Sequence, residues 1–276
     1  MKIEPFGKAL IETGDLDPVY VAIHGAKLPK NQLARLLLAY WCFYHLGVAA
    51  WLSEFEDDGP HGRDYWHFMK VAAANRYGPN DPKMHWEHGH GVPAFDRWPR
   101  GTERRHFRGD KCVKAVEYIS RLSVNKWVAR IPIVSFGSIV HIVQSWPLFG
   151  PWIAYKAADM LDRCAGYPIE FPLDVCLLYD EPRKGLLMLN PTEPEKELQR
   201  LLKVFGKFKA PPANDRACGV QEVETILCKA KASWSGKYWV GKDIHEIRHG
   251  LGGWGDTAAT LLAHSPKEVV RIGSLL

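Results

Sequence analysis

The sequence predicts a mainly α protein. Apolar residues recur at three- and four-residue spacing through most of the chain, and convincing two-residue alternation is scarce. Two apolar helical stretches also meet at a tight turn around Phe149-Gly150-Pro151. At 276 residues the chain fits one large domain or two small ones. With 46% hydrophobic and 24% charged residues it is an ordinary globular composition, which excludes a disordered chain, a collagen or a coiled coil.

The elements follow in chain order. Leu33, Leu36, Leu37, Tyr40, Trp41 and Tyr44 share a helical face after Pro29 and Asn31. The stretch from Leu36 to Leu52 lacks Asp, Glu, Lys and Arg, but it contains His45 and Gly47 and barely reaches membrane-spanning length. It reads as a buried core helix. Tyr65, Phe68, Met69 and Ala72 mark another helix. Gly78 to Gly109 is polar, rich in Gly, Pro and His, and without periodicity, the kind of long irregular stretch that usually serves function. Helices are expected at Val113–Val124, starting near Asp110, and at Val134–Ser145. Thr192 and Glu195 form a capping-box pattern before Leu198, Leu201, Leu202 and Phe205. A connector ends at Pro212, Val220 to Ala230 is amphipathic, and a Gly-rich loop at Gly250–Gly255 precedes the last helical segment. No clean linker appears, so residues 1–276 read as a single helical unit. Its expected lobes are 30–190, and 191–276 with the N-terminal segment.

The six cysteines, Cys42, Cys112, Cys164, Cys176, Cys218 and Cys228, form no C-x-x-C pair. The N-terminus is too acidic and broken for a signal peptide. Reduced thiols in the cytoplasm follow. A net charge of +5 with 11 Trp, 10 Tyr, 11 Phe and 12 His suits an anionic, planar ligand such as nucleic acid.

Four segments carry chemistry. In the first, an apolar helix stops at Trp146-Pro147, a turn follows at Phe149-Gly150-Pro151, and a second helix carries Ile153, Ala154, Ala157, Ala158 and Leu161. A hairpin of this kind, with 134–164 as its extent, aims backbone N–H groups and a helix N-terminus at a phosphate. Lys156 adds a cation and Trp152 a ring, while an ordinary αα-hairpin is the plainer alternative. The second is Trp98 to Gly109, where Arg100, Arg104, Arg105 and Arg108 fall within nine residues around His106. Guanidinium forks match phosphate or pyrophosphate, and Trp98 and Phe107 offer rings to a base; a solvated basic loop is the alternative. The third, His85-Trp86-Glu87-His88-Gly89-His90, lacks a zinc spacing and reads as an exposed loop, not a metal site. On the last, Gln221, Glu224, Cys228 and Lys231 occupy one arc of about 80° opposite Val223, Ile226, Leu227 and Ala230. The following run to Asp243 alternates Lys237 and Lys242 with Trp234, Tyr238 and Trp239. Together they read as one wall of an anion pocket, or as an exposed helical face.

The hairpin, followed by Gly166-Tyr167-Pro168 and Asp174-Val175-Cys176, resembles the helix-hairpin-helix DNA glycosylase superfamily over Val134 to Leu178. That resemblance implies a helical glycosylase-like fold with a cleft between two lobes, and Asp174 at the mouth of the base pocket. A helix N-cap is the other reading of Asp174. The superfamily's Leu-Pro-Gly-x-Gly turn keeps only its second glycine, as Gly150, with Leu148 at the first. Trp152 stands where bifunctional members carry a nucleophilic lysine, which argues against a Schiff-base lyase.

Trp98 to Gly109, the degenerate hairpin and Val223 to Ile244 together resemble the alpha-glutamyl/putrescinyl-thymine pyrophosphorylase family, phage amino acid:DNA transferases of the same superfamily, from about Leu33 to Leu262. The resemblance implies displacement of pyrophosphate from 5-(pyrophosphoryloxymethyl)uracil in double-stranded DNA by a free amino acid, glycine being the best guess. It further implies pyrophosphate bound by Arg100, Arg104, Arg105, Arg108, Lys231 and Lys237, with His106 donating a proton or hydrogen bond. Asp174 or Glu224 would serve as base or cation stabiliser. Phe149, Gly150, Trp152, Lys156, Trp98 and Lys242 would contact DNA, from which the base is flipped. No cofactor is required, although Mg²⁺ can assist the leaving group. The expected setting is a monomer, away from membranes, in the cytoplasm of the infected bacterial host. A glycosylase cleaving the N-glycosidic bond, with Asp174 as its key residue, is the alternative, and a noncatalytic DNA-binding module a third.

Overall fold

A computed structural model describes residues 2–56, 64–74, 107, 109–122 and 135–269. The protein is mainly α, as expected. Among the described residues there is no β-strand, only an antiparallel bridge between Lys209 and Ala217. The helices are α1 (Ile3–Thr13), α2 (Pro18–Ala26), α3 (Lys30–Phe43), α4 (Leu46–Ser53), α5 (Asp64–Ala74), α6 (Asp110–Arg121) and α7 (Phe136–Gln144). They continue with α8 (Pro151–Ala165), α9 (Val175–Leu178), α10 (Asp180–Leu189), α11 (Pro194–Phe205), α12 (Val220–Trp234), α13 (Lys242–Leu251) and α14 (Asp256–His264).

The chain divides into two compact units. The first comprises residues 1–27, 159–249 and 264–276; the second comprises 28–158 and 250–263. Residues 159–190 thus belong with 191–249 rather than with the lobe expected at 30–190.

In the first unit, α1, α11 and α12 pack together. Their amphipathic faces supply Phe6 and Leu10, Leu198, Leu201 and Phe205, and Val223, Ile226 and Leu227, all essentially buried. Helix α10 lies on α12. Gly185 permits the approach, since a Cβ there would sit 2.9 Å from the Leu227 carbonyl oxygen. Helix α11 starts differently from the expected Thr192/Glu195 box. Pro194 occupies its first turn, where a missing N–H costs nothing. The Asn190 side-chain oxygen instead collects the Thr192 N–H and hydroxyl and the Glu193 N–H.

In the second unit, α3 and α4 form the core, with α5 packed on α4 and α6. The Leu36–Leu52 stretch is buried as expected, but it is two helices, not one. Tyr44 closes α3 in the left-handed region (φ 51°). His45 then turns extended, and its Nδ1 accepts the Val48 N–H at 3.2 Å to start α4. No helix among the described residues is long and apolar enough to cross a membrane. Phe107 is buried just before α6, edge-on to Phe43 and to Phe149 at centroid distances of 5.6 and 6.1 Å.

Candidate active site

Helix α12 positions the first set of functional side chains. Its start is held by Glu222, whose carboxylate returns to the Gly219 N–H at 2.7 Å, half of a capping box. The polar arc expected from the sequence is present and divides among three environments. At one end, Gln221 Nε2 donates to Asp159 Oδ1 (3.1 Å) and Asp162 Oδ2 (2.9 Å). In the middle, Glu224 is buried, accepting from the Thr225 hydroxyl at 3.3 Å and the Cys228 thiol at 3.2 Å. At the far end, Lys231 bonds Glu181 of α10 at 2.5 Å.

The short helix α9 packs on α12. Asp174 precedes α9, exposed, with its backbone carbonyl accepting the Leu177 N–H at 2.7 Å. Its side chain makes no capping bond, so the N-cap alternative is not what fixes it. Behind it, Cys176 is fully buried. Burial and then the Glu224 charge push the Cys176 thiol well up, and the same pair of causes pushes Tyr179 up to about 12. Both groups therefore stay protonated beside Glu224 at neutral pH. On the other side, Lys231 and Lys184 hold the Glu181 carboxyl low. The arrangement joins a buried carboxylate to protonated donors, and the exposed Asp174 precedes the helix that carries Cys176. A group of this kind can accept a proton or stabilise a cation.

Two buried ionic networks in the same unit escaped sequence reasoning. Arg163 of α8 meets Asp17 at 2.6 Å, Glu222 at 3.4 Å and Asp159 at 3.7 Å, and donates to the Pro211 carbonyl at 2.7 Å. Burial opposes its charge, but the three carboxylates hold its pKa well above the ordinary value. Arg216 forks onto Glu222 with two 3.0 Å bonds, and the Tyr20 hydroxyl donates to Asp159 at 2.7 Å. The second network centres on Asp15, which accepts from the Tyr238 hydroxyl (2.5 Å), the Gly241 N–H (2.6 Å) and the Ile244 N–H (3.1 Å). Burial still leaves its carboxyl above the usual range, against the lowering pull of Lys229. These networks fix both ends of α12. The available sequence signal was Asp159, Asp162 and Arg163 at i, i+3 and i+4 on a largely apolar helix.

The remaining candidates separate. Lys237 is exposed, and its carbonyl accepts from Lys242 Nζ at 3.0 Å. Lys242 lies 5.6 Å from the Trp239 ring centroid and 3.6 Å from Glu246. In the second unit, α7 and α8 form the expected pair of helices around the turn. Phe149 is buried inside that turn, while Gly150 is exposed. Trp152 is half-buried against Tyr44 at 4.8 Å, and Lys156 is 8% exposed, so most of its length lies within the unit. Trp98, Arg100, Arg104, Arg105, His106 and Arg108 lie outside the described residues, as does the His85–His90 run. Among the described residues, no cluster of His, Cys, Asp and Glu is arranged to hold a metal.

Residues 11–238 match the family described as amino acid:DNA transferase. The glycinyltransferase of Pseudomonas phage PaMx11 is 36% identical over 297 aligned residues, covering 95% of this chain and 94% of its own. The putrescinyltransferase of Delftia phage PhiW-14 is 28% identical over 286, covering 96% and 83%. The chain is mainly helical, and its relatives are transferases, which places it in a class of DNA-modifying transferases. The chain belongs to the amino acid:DNA transferase family, in agreement with the resemblance read from its motifs.

Proposed function

We propose that this amino acid:DNA transferase displaces pyrophosphate from 5-(pyrophosphoryloxymethyl)uracil in phage DNA with the amine of glycine. The observation that carries the reading is the buried Glu224 carboxylate, set beside the segment that begins at exposed Asp174. An incoming amino acid arrives as an ammonium and must lose a proton before its nitrogen lone pair can attack. A carboxylate held among protonated donors suits that transfer. The reaction breaks the C–O bond between the 5-methylene carbon and pyrophosphate and forms a C–N bond. Neutralising the leaving group is the second requirement, which the arginines at 100, 104, 105 and 108 and the exposed Lys237 meet. Lys231 already neutralises Glu181, so it contributes by exchanging partners. His106 would donate to the departing pyrophosphate.

Glycine is favoured over putrescine because the glycinyltransferase relative shares more of the sequence than the putrescinyltransferase does. The α7–α8 pair is read as a helix-hairpin-helix that presents Gly150 and the start of α8 to the phosphate backbone, supported from inside by Phe149. Trp98, Trp152 and Lys242 complete the DNA contacts, Lys156 being too buried to join them, and the target base leaves the stack. The chemistry is a substitution without redox change, so it requires no cofactor, with Mg²⁺ an aid to the leaving group at most. The proposed enzyme works as a monomer in the cytoplasm of the infected bacterium.

The test is incubation with duplex DNA bearing pyrophosphorylated 5-hydroxymethyluracil and a panel of labelled amines. Pyrophosphate release with label on intact DNA is the expected result, with glycine the best donor. An abasic product would replace the reading with a glycosylase, and binding without turnover would reduce it to a binding module.

A further inference from the structure

Helix α6 is amphipathic in an uncommon way. Its inner face buries Cys112, Ala115, Val116 and Ile119, and the helix packs on α5. Its start is tied down by the Gly109 N–H donating to the Ala73 carbonyl at 2.7 Å. The outer face carries Lys111, Lys114, Tyr118, Arg121 and, just beyond the helix, Leu122, all exposed. At 100° per residue these five fall within an arc of about 100°. Tyr118 is 41% and Leu122 45% exposed, large for side chains with this much apolar surface. None of Lys111, Lys114 and Arg121 forms an ion pair with another described residue. Some surface cations in the first unit are compensated, since Lys184, Lys196 and Arg200 each neutralise a glutamate. The two acidic residues of α6 lie outside the arc, Glu117 by about 40° and Asp110, at the helix start, by about 20°.

We propose that this face of α6 is a second contact surface for the phosphate backbone of duplex DNA. The inference rests on DNA being the substrate, but not on the identity of the modified base or of the amine. Three uncompensated cations, spread over about 15 Å of helix on flexible stems, complement a polyanion whose charges repeat along a line. Tyr118, between them, adds a hydroxyl donor for a phosphate and a flat surface for a sugar. The arc holds no Asn, Gln or glutamate, and with its three cations on phosphates the contact is independent of sequence. The surface adjoins the hairpin through its own unit: Phe107, three residues before α6, packs against Phe149 in the α7–α8 turn. An acidic protein or an RNA would satisfy the charge alone. The duplex is favoured because the family acts on DNA and the hairpin turn lies close by.

The test is fluorescence anisotropy with unmodified duplexes of two unrelated sequences, from low to moderate salt. It compares the wild type with a Lys111→Gln, Lys114→Gln, Arg121→Gln variant. A control variant removes the same charge from exposed lysines of the first unit (Lys203→Gln, Lys207→Gln, Lys209→Gln). All six side chains are exposed, and matching thermal melts verify the folds. The slope of log affinity against log salt is expected to fall in magnitude by about 2.7 in the α6 variant, equally for both sequences. Its affinity at 0.1 M salt should drop roughly tenfold or more, while its transfer rate at saturating DNA stays at the wild-type level. An unchanged slope would overturn the inference, as would an equal change in the control variant. So would preference of the wild type for single-stranded RNA or polyglutamate over duplex with the same α6 dependence. Wild-type protein that binds no duplex at all would instead undermine the DNA-substrate reading itself.

Discussion

Cys228 donates its thiol hydrogen to Glu224 Oε1 at 3.2 Å, one helical turn away on α12. Glu224 is buried and accepts from that thiol and from the Thr225 hydroxyl, so its carboxylate is fixed in position on α12. Glu224→Gln keeps the shape and one acceptor oxygen while removing the basic site. Single-turnover transfer is expected to slow by about 10²- to 10⁴-fold with duplex affinity unchanged. Rates at the wild-type level would show that Glu224 serves packing only.

Asp174 differs from Glu224 in being exposed and free of a capping bond. An exposed carboxylate acts on a cationic transition state through space, an effect that water screens. Asp174→Asn is therefore expected to lower turnover more than duplex binding, and by less than Glu224→Gln does. A double variant no slower than Glu224→Gln alone would place both residues in one step.

The legible parts of this protein are those encoded within one element. Helical class followed from apolar spacing, and the Gln221-Glu224-Cys228-Lys231 arc lay within a single helix. The broken core helix was not legible, because its break depends on Tyr44 adopting φ 51° and on His45 capping α4, a role usually filled by Ser, Thr, Asn or Asp. Nor were the ion partners. Arg163 is completed by Asp17, 146 positions earlier, and Lys229 donates to the Tyr238 hydroxyl while its helix is anchored through Asp15, which lies in another segment altogether. Tertiary pairing of that range leaves no periodic trace. The arginine segment remains legible only as composition and resemblance, since it lies outside the described residues.

That segment yields its own prediction. In the proposed reaction the four guanidinium groups of that segment bind the leaving pyrophosphate. Arg104→Ala or Arg105→Ala should abolish transfer while leaving affinity for unmodified duplex within a fewfold. Parallel loss of both activities, measured on pyrophosphorylated and unmodified DNA, would assign these residues to the backbone.

Arg163 anchors the base of α12 through Glu222 and the chain ahead of it through the Pro211 carbonyl. Arg163→Met would leave Asp17, Asp159 and Glu222 clustered without their shared cation. Removing one partner of a buried pair costs about 3–5 kcal/mol, so a large fall in melting temperature at pH 7 is expected. Acidification protonates the stranded carboxylates and should narrow the gap to the wild type. A gap that stays constant from pH 7 to pH 4.5 would contradict the electrostatic account.

His45 gives the fold a pH dependence of its own. Burial pushes its imidazole down to about 4, and its Nδ1 must stay unprotonated to accept the Val48 N–H. The unfolded chain carries an ordinary histidine, which binds a proton near pH 6.5. Above that pH neither state is charged and the cap is intact. As pH falls from 6.5 towards 4, the unfolded state takes up a proton that the native state refuses, so native stability declines. The loss levels off below the folded pKa, after on the order of 3 kcal/mol. Asn at the same position retains a side-chain oxygen for the Val48 N–H without a titrating group. His45→Asn should therefore match the wild type near pH 7.5 and become the more stable protein at pH 5, as read from urea unfolding across that range. Parallel stability curves for the two proteins would mean that His45 does not sense the proton.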